Sequence, residues 1–510
     1  MAAETAPIET LSAGALLDGI GAGRLTAERV VTHLLARIGE IDPKIRSVLA
    51  VAPDAVEQAR GSDRYRASHP PRPLEGVPVL VKDNIEVAGT LPTTAGSLAL
   101  LNNRTNRDAP IVARLRAAGA VILGKTNLSE WANMRGERSV SGWSALGGQT
   151  RNPYALDRSP SGSSSGSAAS VAALLAPLAI GTETDGSITM PASVCGLVGL
   201  KPTVGLLSRS RIVPISASQD TPGPIARSVT DAARMLDAMA GSDPHDPATA
   251  EADRRRTDYA AALAEGVTFS GKRLGVLRFL AGRHPGTDAL FDATLKRLSD
   301  AGAELVDIDS VDGMDRINQG ELLVLLSELK TGLGAYLADS PIRDQPQTLA
   351  ELIRFNRAHA ARELEIFGQQ LFEQAEATKG LQDPAYVAAR AESLRLARAA
   401  IEGPVARFRL DALVAPTAGP AGLIDPVDGD IDTGSASTLP AVAGAPHLTV
   451  PMGMVSDLPV GLSFIGPRWS ETLLLQLGHA FEAMRPALAG PTFPHDIALP
   501  AHWDRPLPGF

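Results

Sequence analysis

The chain has 510 residues, 44% of them hydrophobic and 4% aromatic, and a formal charge of −9. That acidic balance, with no Lys/Arg-rich block and few rings to stack on bases, excludes a nucleic-acid binder. The single cysteine, Cys195, excludes an intramolecular disulfide, and no Cys/His cluster has zinc-ligand spacing.

Residues 1–10 hold no basic n-region and no apolar h-region, and no apolar run is long enough for a membrane span. The expectation is a cytoplasmic monomer or homodimer without cofactor, metal, membrane or nucleic-acid partner. Residues 10–41 read as helical, with Leu16, Leu17 and Ile20 on one short stripe. Thr26 is placed to cap a second helix that carries Val30, Val31, Leu34, Leu35 and Ile38 on one face. A proline-rich connection at 68–73 leads into the apolar run Val77-Pro78-Val79-Leu80-Val81, which ends at Lys82. A helix over 109–118 and a strand over 120–124 follow. The stretch 127–166 is rich in Gly, Ser and Asn, and residues 171–180 read as a buried helix running into a strand. Beyond Asp231 the periods predict strands at 273–279 and 304–308, a helix at 288–301, and long helices near 317–338, 346–376 and 385–407. Closing strands are predicted at 410–415, 447–451 and 460–465. Strands alternate with helices at both ends and no linker divides the chain. One α/β domain around a large mixed sheet with helices on both faces is expected, made of an N-terminal helical segment (1–67), a core (74–230) and a peripheral part (231–510).

Three local features bear on chemistry. Ser159-Pro160-Ser161-Gly162-Ser163-Ser164-Ser165-Gly166-Ser167-Ala168-Ala169 has the composition of a flexible linker, yet it runs straight into an apolar helix without a polar spacer. It also lacks the Lys-Ser/Thr ending of a phosphate-binding loop. Gly181-Thr182-Glu183-Thr184-Asp185-Gly186-Ser187-Ile188 is a small-residue turn that presents a serine. It is either an ordinary turn or a set of convergent N–H donors of the kind an oxyanion hole needs. Val81-Lys82-Asp83-Asn84 places a lysine at the end of an apolar run. Alone it reads as a surface or salt-bridged lysine; desolvated, it is a base, a role closed to arginine.

Together these features resemble the amidase signature family. The Gly/Ser stretch at 162–169 and the turn at 181–188 match its two motifs, with Ser163 and Ser187 at the family's spacing of 187 − 163 = 24. Flanking segments at 74–78, 124–127, 199–203, 220–224, 448–451 and 458–461 also match, so the resemblance covers most of the chain. It implies a Ser–cis-Ser–Lys triad of Ser187, Ser163 and Lys82, with a cis Gly162–Ser163 bond. It also implies an oxyanion hole from the backbone N–H groups of Thr184, Asp185, Gly186 and Ser187. Two positions depart from the commonest pattern: Ser165 stands where glycine is frequent, and Asp185 replaces the first glycine of a pair. Within the family, segments 129–133, 141–144, 147–150, 181–185 and 355–359 are similar to bacterial peptide amidases, which act on C-terminal amides of peptides. That resemblance implies a small-molecule or peptide amide substrate, with Trp143 and Phe355 as candidate pocket residues.

A Ser-His-Asp hydrolase is the rival chemistry. None of the nine histidines sits in a catalytic motif, and there is no Gly-x-Ser-x-Gly elbow in a strand-turn-helix setting. Within the amidase chemistry, an aryl-amide or hydrazide hydrolase and an A-type amidotransferase component remain open. A catalytically dead binding protein is disfavoured by the intact Lys82, Ser163 and Ser187. Cys195, in an apolar stretch, is expected to be buried and inert.

Overall fold

Strand residues point alternately to opposite faces, and here the alternation sorts them into two cores. In the computed structural model, which describes residues 6–497, Val79, Val81, Ile122, Leu178 and Ile180 join one buried cluster. Leu80, Val121, Leu123 and Ala179 join another. The first face is covered by the helices Pro110–Ala117, Val229–Met239 and Glu471–Met484. The second is covered by Ala27–Ile45 and Ser165–Ala172. The sheet between them has 11 strands. In spatial order they are Val48–Val51, Val121–Thr126, Pro78–Lys82, Leu178–Glu183, Thr221–Ala226, Val198–Lys201, His447–Val455, Leu458–Ile465, Ala412–Pro416, Arg273–Leu277 and Glu304–Ile308. Pairing is mixed. It is parallel among the strands beginning at 78, 121 and 178, and again among those at 273, 304 and 412. The strands between these two groups pair antiparallel.

This is the α/β architecture expected, with helices on both faces of one mixed sheet. Two details differ. The N-terminal segment is not wholly helical: Val48–Val51 forms the sheet's edge, antiparallel to Val121–Thr126. The helix expected across 346–376 is broken into Leu349–Ala358, Ala360–Glu363 and Gln370–Ala377. Buried Arg135 holds that break open, because its guanidinium donates to the Glu363 carbonyl and its own carbonyl accepts from the Leu371 N–H at 3.1 Å. Tertiary pairing of backbone groups here overrides local helix propensity. The other two long helices run Met314–Asp339 and Pro384–Phe408. No helix among the described residues is long and apolar enough to cross a membrane. Cys195 is buried, which raises its thiol pKa. His502 lies outside the described residues.

The parallel pair Pro78–Lys82 and Leu178–Glu183, with Val81 opposite Ile180, brings Lys82 and Thr182 to the same end of the sheet. The carboxyl ends of parallel strands are where α/β sheets open a crevice. Beside Lys82 runs a structural ion pair. Lys125 Nζ lies 2.9 Å from Asp83 Oδ1, with both side chains buried, and also donates to Ile85 O at 2.7 Å and Thr93 Oγ1 at 3.0 Å. Removing one partner of such a pair leaves a buried charge without compensation. Lys125→Met is therefore expected to destabilise the fold by about 3–5 kcal/mol. The double change Asp83→Asn with Lys125→Met should recover a large part of that loss. Urea unfolding of Lys125→Met, Asp83→Asn and the double variant checks this, and additive losses in the double variant would contradict it.

Candidate active site

Three lysines among the described residues are fully buried: Lys82, Lys125 and Lys201. Lys125 has Asp83 as counter-ion. The charges of Glu183 and Glu471 partly offset the burial of Lys201, whose pKa is lowered to about 8. Lys82 forms no ion pair among the described residues. Its Nζ lies 2.7 Å from Ser163 Oγ, 3.0 Å from Ser164 Oγ, 2.8 Å from Thr182 Oγ1 and 3.1 Å from Thr182 O. Three hydroxyls and a carbonyl solvate an amine but do not neutralise an ammonium. Burial therefore holds the Lys82 pKa well below its ordinary value, and the more distant charges of Asp220 and Glu183 only partly oppose this.

Ser163 is fully buried, and its peptide bond with Gly162 is cis, as the resemblance implied. The Ser163 carbonyl accepts from Ser129 N–H at 3.1 Å, and Ser164 N–H donates to the Ser187 carbonyl at 3.1 Å, so the two motifs are tied backbone to backbone. The helix Ser165–Ala172 that follows is docked on the strand Leu178–Glu183 through Ser167 Oγ, which donates to Ile180 O at 2.9 Å. Ser165, the departure from the family's glycine, donates to Ser161 O at 2.6 Å. Gly166 could carry no side chain, since a Cβ there would lie 2.3 Å from Ser47 O and 2.4 Å from Asn127 O.

The turn after Glu183 is fixed from one side by that residue. Its carboxylate accepts from Ile188 N–H at 2.8 Å and Thr189 N–H at 2.9 Å. Gly186 sits at φ +78°, where a side chain would meet Met190 and Ser437. The N–H groups of Thr184, Asp185, Gly186 and Ser187 donate to no acceptor among the described residues. Four successive N–H groups left open in a mostly buried turn are rare, because an unpaired buried donor is costly. Thr184, Asp185 and Ser187 line a cavity of about 270 Å³. Ser187 is 7% exposed, and its hydroxyl has no hydrogen-bond partner among the described residues. Asn133, Ser141 and Asp430 also line this cavity, as do the apolar Met190, Leu325 and Ile431.

The structure thus brings Lys82, Ser163, Ser187 and the 184–187 turn together. It does not bring Trp143 or Phe355 to the cavity. Trp143 is buried edge-on against Phe367, with ring centroids 5.3 Å apart and Arg135 over its face. Phe355 stacks on His359, with centroids 4.0 Å apart. Both rings are used for packing, which corrects the expectation that they line the pocket. Sequence reasoning also missed several residues around the site. Asn84 donates to Thr182 Oγ1 at 2.9 Å. Asp220 accepts from Thr184 Oγ1 at 2.6 Å, and burial pushes its pKa up to about 6. Glu321, from the helix Met314–Asp339, meets the carboxyl of Asp185. The two acids cannot both ionise at contact, so burial and each other's charge hold Glu321 well above the ordinary carboxylate range. Asn84 had a signal in closing the segment that carries Lys82, and Asp220 in opening a segment matched to the family; Glu321 had none.

A buried, uncompensated amine, two serines and an array of open N–H donors at the carboxyl end of a mixed α/β sheet are the equipment of an amide-hydrolysing enzyme. The chain belongs to the amidase family, whose model matches residues 29–475. It is 41% identical to a probable amidase from Arabidopsis thaliana, covering 90% of this chain and 87% of the relative. It is 35% identical to the A-type component of glutamyl-tRNA(Gln) amidotransferase from Roseiflexus castenholzii, covering 93% and 96%. Among solved structures, native peptide amidase from Stenotrophomonas maltophilia superposes with a TM-score of 0.90 at 47% identity, covering 96% of this chain and 99% of that one.

Proposed function

We propose that this amidase works through a serine acyl-enzyme, with Ser187 as nucleophile and Ser163 and Lys82 as proton carriers. The observation that carries the reading is the 2.7 Å contact between Ser163 Oγ and a buried Lys82 amine that has no counter-ion among the described residues. Ser187 Oγ attacks the carboxamide carbon, its proton passes to Ser163 Oγ, and the Ser163 proton passes to Lys82 Nζ. The carbonyl oxygen takes up negative charge against the N–H groups of residues 184–187. Reversal of the relay delivers a proton to the leaving nitrogen, the C–N bond breaks and ammonia departs. Water then attacks the ester by the same route, yielding the carboxylate and free Ser187.

The substrate class follows the similarity to peptide amidase: the C-terminal carboxamide of an amino acid or short peptide, with internal peptide bonds left intact. A pocket closed beyond the scissile nitrogen admits –NH2 and rejects a continuing chain by steric clash. Discrimination by clash can exceed the roughly 1–3 kcal/mol available from one missing methylene. An N-acylated amino acid amide is therefore expected to exceed its anilide in kcat/KM by about a hundredfold or more. A preference for the anilide or a hydrazide would overturn the substrate reading and leave the triad untouched. An amidotransferase role needs partner chains, so turnover by the isolated chain separates the two. The 47% identity to peptide amidase against 35% to the amidotransferase component favours the stand-alone enzyme.

A further inference from the structure

A second cavity, of about 460 Å³, shares no lining residue with the one at Ser187. Arg390 and Arg398, from one face of the helix Pro384–Phe408, reach it together with Arg468 and Trp469 from the loop after the strand Leu458–Ile465. Its lining holds one carboxylate, Glu251, which is already engaged by Arg254 at 2.6 Å and Arg255 at 3.3 Å. Arg390 leans on Glu328 at 3.4 Å. Arg398 and Arg468 form no ion pair among the described residues, and the Nε of each is buried without an acceptor. Among the described residues one hydrogen bond restrains the Arg468 guanidinium, from Nη2 to Val204 O at 3.1 Å. Burial, and next the like charge of Arg398, lower the Arg468 pKa. The charges of Glu251 and Glu471 only partly oppose this, and an anion between the two guanidiniums would relieve their mutual repulsion. Trp469 is held at φ +71°, a conformation rare for a bulky residue, with Arg468 5.2 Å and Arg255 5.6 Å from its ring centroid. Such outliers cluster where a ligand is clamped.

We propose that this cavity is a second ligand site, separate from the amide site, for a small molecule bearing a phosphate or carboxylate group. Arg398 and Arg468 are its charge partners, and Trp469 packs against its organic part. The planar guanidinium fork matches either oxyanion with two parallel N–H bonds, and the volume is within the range of small-molecule pockets.

Isothermal titration of the whole chain with inorganic phosphate, pyrophosphate and citrate, at ionic strength held constant with sodium chloride, tests this. One-to-one saturable binding is expected for pyrophosphate or citrate. Arg398→Gln and Arg468→Gln are each expected to weaken it about tenfold or more, and Arg398→Lys less than Arg398→Gln. Tighter pyrophosphate assigns a phosphate ester and tighter citrate a polycarboxylate; either supports the site. Thermal melts without anion establish that each variant is folded, and the two glutamine variants serve as independent readouts if one is not. Failure of all three anions to bind by about 10 mM, or binding unchanged in both glutamine variants, would overturn the proposal.

Discussion

Ser187→Ala is expected to abolish acyl-enzyme formation and to lower kcat by about four to six orders of magnitude. The nucleophile is the one group whose loss no neighbour makes good, because Ser163 is already committed to Lys82 at 2.7 Å. Stability should hardly change. The Ser187 hydroxyl makes no hydrogen bond among the described residues, so its removal orphans no buried partner. The change should lie within about 0.5 kcal/mol, as for substitutions that break no buried interaction. This split, activity lost and fold kept, is the signature to measure, by single-turnover kinetics and urea unfolding on one preparation. Near-normal amide turnover by clean Ser187→Ala protein would remove the assignment.

Lys82→Arg is expected to be as damaging as Lys82→Ala, each costing several orders of magnitude in kcat/KM. Arginine keeps the charge but cannot give up its proton at working pH, and the longer fork does not fit where Nζ already has four neighbours within 3.1 Å. Substantial activity in Lys82→Arg would make the lysine an electrostatic element only. A sign follows for pH. The folded-state pKa of Lys82 lies well below its ordinary value of 10.5. Between those two values the unfolded chain binds more protons than the folded one, so this residue's contribution to stability rises with pH across that window. At pH values below the folded pKa the amine must be buried charged and its cost is greatest. The stability of Lys82→Met relative to wild type should therefore be highest toward neutral and acid pH and should shrink as pH approaches 10.5. Activity should rise with pH through the same folded-state pKa as the amine becomes a base.

The parts of the site that were legible in sequence are those the resemblance to the family marks, since each motif alone has an ordinary reading as a linker, a turn or a surface lysine. The Gly/Ser stretch and the 181–188 turn lie close in sequence, and their spacing sets the approach of Ser163 to Ser187. Lys82 alone reads as a surface or salt-bridged lysine; the resemblance to the family marks it, and the apolar run that ends on it becomes a buried strand. Strands were legible where a short apolar run stands out, as at 120–124, and the structure divides the side chains of that run between two cores. The cavity wall was not legible. Leu325, Ile431 and Asp430 arrive from helices and loops more than a hundred residues away, and nothing local marks them as neighbours of Ser187. Glu321 sits in a long helix with no distinguishing pattern, yet it meets Asp185. Trp143 and Phe355 are aromatics within matched segments, but both rings serve packing, Trp143 on Phe367 and Phe355 on His359. The broken helix at 349–377 was hidden for the same reason. Its periodicity is helical, and the backbone partner that interrupts it is Arg135, far earlier in the chain.

The most direct test of the central claim is peptide mapping of the protein after reaction with a serine-directed fluorophosphonate at neutral pH. The wild-type chain should carry one adduct, on Ser187, and Lys82→Arg should carry almost none over the same interval. An adduct on Ser163 or on another serine, or equal labelling of Ser187 in Lys82→Arg, would contradict a nucleophile activated through Ser163 by a neutral Lys82.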